Sequence, residues 1–343
     1  MLDMGRDAHV VRRDGRGVVG AREDSASPSQ WIADALVSPL VGVVTSWVPT
    51  GFEAYARVLH EVEGYDGVSE VLRWRDVARW NGVPLGPDTD WTDLALPEVS
   101  PSQAPPWQGQ GPREGWLSRI DTLALSDVLD PTSRTPCFFG VWRGWGDLID
   151  VVGTGADTTS RPARYEPQPD FELPWREYQL YTGTSRAAAS FVAHHGRFVS
   201  PSLWWAADRS WFVATEVDLQ FTFVAACGAT IDRLLADPRL ESTRSGPDVS
   251  LERRVAPWLA AKIDTACEQV LATGVTVIEL SMGTVSATYE KRGWGHGWLS
   301  TTSRANFGGR TGGGTGRVTT GDHEQLRSSV RVYLEAAVHS LVR

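Results

Sequence analysis

The chain has 343 residues, 41% hydrophobic and 22% charged, a composition that buries a core and excludes a disordered or fibrous chain. Its formal charge of −9 at pH 7 argues against a dedicated nucleic-acid binder. The longest apolar run, 35–48, is broken by Pro39 and Gly42 and too short to span a membrane, so no membrane partner is expected.

Residues 1–30, with five arginines and five acids and few large apolar residues, read as a flexible tail. Leu36 to Val48 and Phe52 to Val62 read as two strands of a hairpin about Pro49-Thr50-Gly51. Ser69 can cap a helix ending at Asn81, with Val71, Trp74, Val77 and Ala78 at helical spacing. Residues 82–113, rich in proline and glycine, predict a long loop, and 114–129 a helix stopped by Asp130-Pro131. Cys137 to Trp145 reads as a buried strand, 153–169 as a loop, Tyr178 to Tyr181 as a strand and 187–193 as a short helix.

Trp211 to Asp218 alternates as a strand does, with Trp211, Val213, Thr215 and Val217 on one face and Phe212, Ala214, Glu216 and Asp218 on the other. Its partner is expected at Phe221 to Ala225, followed by a helix over 229–235 and a linker at 241–249. Pro257 opens a helix that runs to Thr273 and stops at Gly274, with a buried stripe of Leu259, Ile263, Ala266 and Val270. Strands follow at Val275 to Leu280 and Val285 to Tyr289, then a glycine-rich loop over 293–316. A last helix starts near Asp322 with a stripe of Leu326, Val330, Tyr333, Ala337 and Leu341.

The interspersed strands and helices lack regular βαβ spacing and predict an α+β fold, with a mixed or antiparallel sheet, packed helices and a tryptophan-rich core supplied by 16 tryptophans. The expected organisation is a tail, 1–30; an acidic body, 31–245; and a basic helix–strand–strand–loop–helix unit, 246–343. Charge supports the division: 31–248 holds 17 basic and 29 acidic residues, a balance of −12, and 249–343 holds 11 and 8, a balance of +3.

Three cysteines, Cys137, Cys227 and Cys267, stand far apart with no CxxC, so neither a disulfide framework nor a metal site is expected, and a reducing cytoplasm suits them. Cys137 and Cys227 lie in apolar runs and read as buried, inert thiols. The consecutive His194 and His195 match no ligand spacing, and no cofactor is implied.

Two stretches invite a function. Glu216 and Asp218, two apart on a strand, could divide acid and base roles in a hydrolase, with Trp204, Trp205 and Trp211 stacking on substrate; the bland alternative pairs the carboxylates with Arg209 or another arginine. Asp208 and Arg209 join the tryptophans as candidate binding residues. Across 289–317, Trp294, His296 and Trp298 interleave with Arg304 and Arg310, a pattern that could contact nucleic acid.

FGVWRGWG at 139–146, together with 200–218 and LLADPRL at 234–240, resembles the pattern of actinobacterial proteins with no assigned activity, over residues 31–241. The resemblance implies a bacterial cytoplasmic setting and no mechanism. The favoured expectation is a non-catalytic binding or interaction protein whose partner is another protein, of the immunity or defence type in which an acidic domain meets a basic effector.

Overall fold

The computed structural model describes residues 28–37, 42–62, 72–96, 111–145, 166–174, 176–193, 196–251, 257–280, 283–291, 296–305, 311–319 and 323–341. The first elements are α1 (Gln30–Ala35), a 3-10 turn (Val44–Ser46), β1 (Ala54–Leu59), α2 (Trp74–Asn81), α3 (Trp91–Ala95), α4 (Arg119–Leu129) and β2 (Pro136–Trp142). A 3-10 turn (Arg143–Trp145), β3 (Glu166–Leu173), β4 (Arg176–Thr184), a 3-10 turn (Ser185–Ser190), β5 (Leu203–Ala206), β6 (Trp211–Ala214), β7 (Phe221–Ala226), α5 (Gly228–Ala236) and β8 (Ser242–Ser245) complete the body. After them come α6 (Pro257–Thr273), β9 (Val275–Leu280), β10 (Gly283–Lys291), β11 (His296–Ala305), β12 (Thr311–Thr319) and α7 (His323–His339).

The fold is α+β. Eight strands form one antiparallel sheet in the order β3-β4-β2-β5-β6-β7-β1-β8. Its central strands, LWWA and WFVA, are buried on both faces and therefore read as continuous apolar runs. Trp204, Trp211 and Val213 enter an apolar cluster covered by α4, α5 and the Ser185–Ser190 turn; Trp205, Phe212 and Ala214 enter a second cluster with Ile32, Val44 and Val48. This second cluster explains why no hairpin forms before β1. Ile32, Val44 and Val48 lie against the sheet from α1 and a 3-10 turn, and β1 pairs with β7 and β8 instead.

The segment 241–249 is not a linker. Ser242–Ser245 is the edge strand beside β1, and the buried Glu241 caps α2, accepting the backbone N–H groups of Trp74 at 2.7 Å and Arg75 at 2.9 Å. That capping comes from 167 residues away, so no local pattern could announce it. Replacing Glu241 with alanine leaves both N–H groups without their acceptor and is expected to cost about 1–2 kcal/mol, read by urea denaturation.

Helix α2 begins at Trp74, inside the predicted span, and ends at Asn81 as expected; Ser69 lies outside the described residues. The predicted 82–113 loop contains α3, and β3 begins within the loop predicted to end at Pro169.

In the C-terminal unit α6 has the predicted bounds, and all four residues of its stripe are buried. The predicted glycine-rich loop is instead β11 and β12, which extend β9 and β10 into a four-stranded antiparallel sheet in the order β12-β11-β10-β9. Helices α6 and α7 pack on one face. At Gly312 of β12 a side chain would be crowded, since a Cβ would come within 2.9 Å of Ser303 Oγ and 3.0 Å of Ser340 Oγ beyond α7, whereas the space at Gly314 is open. A single apolar cluster joins Trp74, Val77, Trp91 and Leu94 of the body to Ile263, Val270, Leu299 and Val330 of this unit. Among the described residues, no helix is long and apolar enough to cross a membrane.

Candidate functional site

Glu216 and Asp218 lie beyond the end of β6, and both bond to the Arg176 guanidinium, Asp218 at 2.8 Å. Arg176 itself lies 5.2 Å over the Trp142 ring. Glu216 is 6% exposed and Asp218 76%, so the pair spans the edge of the body rather than a common solvated face. Burial raises the Glu216 pKa, opposed by the bond and charge of Arg176. The cavity beside Glu216, bounded by Tyr178, Leu203 and Ala214, measures about 10 Å³, room for about one water molecule. The arginine partner is thus Arg176, not Arg209.

The neighbouring aromatics do not line a cleft. Trp204 and Trp205 are each 1% exposed, on opposite faces of β5, and Trp211 stacks edge-on against Trp204 at 5.4 Å. Asp208 and Arg209 form the β5–β6 turn: Asp208 Oδ1 accepts the Ser210 N–H at 3.0 Å, while Arg209, at φ 59°, places its guanidinium 5.0 Å over the Trp31 ring. Both residues therefore serve the turn and its packing.

In the C-terminal unit, Trp298 and Arg304 are exposed on β11 and His296 begins that strand, while Trp294 and Arg310 lie outside the described residues, as do His194 and His195. Cys137 and Cys267 are buried, and burial pushes their thiols up to about 12 and about 11. Cys227 differs from expectation. It is exposed at the start of α5, where bonding to Thr230 lowers its pKa. Among the described residues, no group of three or more His, Cys, Asp or Glu side chains is placed to hold a metal.

An open aromatic cleft lies elsewhere, where 113–116, Trp145 and 197–199 converge. It encloses about 280 Å³ and is lined by Arg113, Glu114, Trp116, Trp145, Arg197 and Phe198. The Arg113 guanidinium lies 4.8 Å over Trp116, and that of Arg119 lies 5.1 Å over Phe198. Next to Arg119, Ile120 is 66% exposed.

Buried polar groups fix the backbone under this surface. His60 Nδ1 donates to the Arg113 carbonyl at 2.7 Å, the Gly115 N–H donates to the Leu219 carbonyl at 2.8 Å, and the Leu117 N–H donates to Ser200 Oγ at 3.1 Å. The Trp116 indole donates to the Phe198 carbonyl at 3.1 Å. Gly115 adopts φ +66°, and a Cβ there would meet the Val217 Cα at 2.5 Å, so only glycine lets the two turns touch. The aromatics are consequently presented on a rigid frame.

Sequence reasoning passed over this cleft because its three segments are separated by about 30 and 50 residues. The one local signal was Arg113, Trp116 and Arg119 at a spacing of three. No protein-family model, curated protein or solved structure matches the chain.

Proposed function

We propose that this is a non-catalytic binding protein that recognises another protein through the Trp116–Phe198 cleft. The observation that supports this reading is the pairing of arginines with half-buried aromatics on a fixed backbone, the residue types that dominate energetic centres of protein interfaces. Pre-organisation strengthens it, because the frame is ordered before a partner arrives. The hydrolase alternative loses ground, since Glu216 and Asp218 both engage Arg176 beside a cavity of only about 10 Å³. Nucleic-acid binding through 293–317 loses its flexible loop to β11 and β12.

The test is capture of partners from a lysate of the native host by the full chain, by Trp116→Ala and by Glu216→Gln, each verified as folded by circular dichroism. A protein retained by the wild type and Glu216→Gln, and reduced at least tenfold by Trp116→Ala, is expected. Loss with Glu216→Gln but not with Trp116→Ala would move the site to the carboxylates.

A further inference from the structure

We propose that a second copy of this chain docks on the free edge of β9 by twofold antiparallel pairing, β9 on β9 and α6 beside α6, centred on Val277. The two sheets have four edges, and β9 is the one suited to further pairing. β3 carries Pro167, Pro169 and a register shift between Gln168 and Phe171, β8 is four residues long, and β12 is glycine-rich. β9, VTVIEL, has neither proline nor glycine, and its β-branched Val275 and Val277 are 54% and 57% exposed. Three bonds fix which way its backbone points. The Gly274 carbonyl accepts the Tyr289 N–H of β10 at 2.7 Å, while the Val275 carbonyl accepts the Thr273 hydroxyl at 2.9 Å and the Glu279 carbonyl accepts the Lys262 ammonium at 3.1 Å. Backbone groups alternate between the two sides of a strand, so residues 275, 277 and 279 face the free edge. Thr273 and Lys262 cover its two ends. Between them, the Val277 N–H and C=O have no partner among the described residues. The two covered carbonyls each keep a second lone pair for a pairing strand.

The space beside this edge says what fills it. A groove of about 490 Å³ lies between β9 and α6, lined by Trp258, Lys262, Thr265, Gln269, Val277 and Glu279. Its helical wall from Trp258 to Gln269 covers about three turns, so an occupant must fill the helix layer as well as extend the sheet. A lone extended peptide supplies only the strand, whereas a second copy supplies both layers. The Lys262–Glu279 and Thr276–Gln269 bonds bring Thr265 abreast of Val277, so one axis centres strand and helix together. Exposed Ala261 and Thr265 are small enough for two helices to approach closely there. Pairing about that axis sets Val277 against Val277, Val275 against Glu279, and Lys262 against Gln269 of the second copy, with no like charges opposed. A contact about 25 Å long, the length of the 17-residue α6, and roughly 20 Å deep covers about 1,000 Å² over both copies. That is the lower end of specific interfaces, so the dimer is expected at micromolar concentration.

The test is analytical ultracentrifugation of the full chain between roughly 1 and 200 µM, with variants verified as folded by circular dichroism. The wild type is expected to pass from monomer to dimer across that range. Val277→Pro removes an outward N–H that the dimer needs and the pairing of β9 with β10 does not use, so it should fold and lose at least tenfold in dimer affinity. Val277→Lys and Val277→Glu each bring like charges together across the axis and should lose as much. An equimolar mixture of these two should dimerise again to within about threefold of the wild type, because only a twofold axis at residue 277 opposes the two new charges. This charge exchange decides the matter even where Val277→Pro fails to fold. A monomer throughout the range, a dimer untouched by the Val277 variants, or a mixture no stronger than its components overturns the proposal. A monomer that holds a cellular peptide, and loses it with Val277→Lys, gives the edge to a foreign strand and overturns it likewise.

Discussion

Replacing Asp121 with alanine is expected to remove about 3–5 kcal/mol of stability, enough to unfold much of the protein at physiological temperature. Asp121 is fully buried in the first turn of α4, and the Arg73 guanidinium meets it with two parallel hydrogen bonds, at 2.8 and 2.9 Å. Arg73 stands just before α2, so this pair ties the start of one helix to the start of another. Glu61 lies 3.8 Å from the same guanidinium and accepts the Ser118 hydroxyl at 2.7 Å. Cutting Asp121 back leaves a largely buried cation with its main partner gone, and that desolvation sets the magnitude. Urea denaturation followed by fluorescence measures the loss. The double variant Arg73→Met/Asp121→Leu should recover most of it, because two apolar side chains leave no charge uncompensated. A loss below about 1 kcal/mol in the single variant would show that the pair does not hold the helices together.

Acid should weaken the protein through His60. The imidazole is completely buried, and burial lowers its pKa from 6.5 to about 4. Because the Arg113 carbonyl can only accept, the proton sits on Nδ1; Nε2 then accepts from Thr222 Oγ1 at 2.9 Å, which can in turn accept from Thr215 Oγ1 at 2.9 Å. Well above pH 6.5 the ring is neutral in both the folded and the unfolded chain, with one proton rather than two, and its stabilising contribution is complete. Between pH 6.5 and about 4 the unfolded chain takes up a proton that the folded chain refuses, and stability falls by about 1.4 kcal/mol per pH unit, roughly 3 kcal/mol in all.

Glu61, Glu216 and Glu241 act with the opposite sign. Burial raises their folded pKa values, so protonation favours the fold as pH falls. The contribution of His60 is therefore isolated as the difference between wild type and His60→Gln, which should shrink by roughly 3 kcal/mol between pH 7 and pH 4. Nitrogen chemical shifts of the His60 ring give a second reading in the wild type alone: a midpoint near 6.5 would sink the argument.

The C-terminal elements show what sequence by itself determined. Helix α6 was legible to the residue, because Pro257 and Gly274 mark its ends and Leu259, Ile263, Ala266 and Val270 set its buried stripe at the helical period. Strands β2, β7 and β9 were legible for the same kind of reason: short apolar or alternating runs bounded by turns. The α+β class followed from their order. These are local properties, fixed by backbone geometry and near-neighbour sterics.

Tertiary structure decided everything that depends on what lies opposite. The alternation separated two faces over Trp211 to Ala214 and failed beyond, where the strand ends before Glu216 and Asp218; only the covering of both faces makes Trp204 and Trp205 core residues rather than walls of a cleft. A glycine-rich tract reads as a loop until it pairs along β11 as β12. Polar 241–249 reads as a linker until the edge of β1 needs a partner and α2 needs a cap. The cleft at Trp116 is the clearest case, since Arg113, Trp145 and Phe198 acquire a common surface only through contacts that long stretches of chain separate. Burial and partnership are long-range quantities, and the chain specifies them only once it has folded.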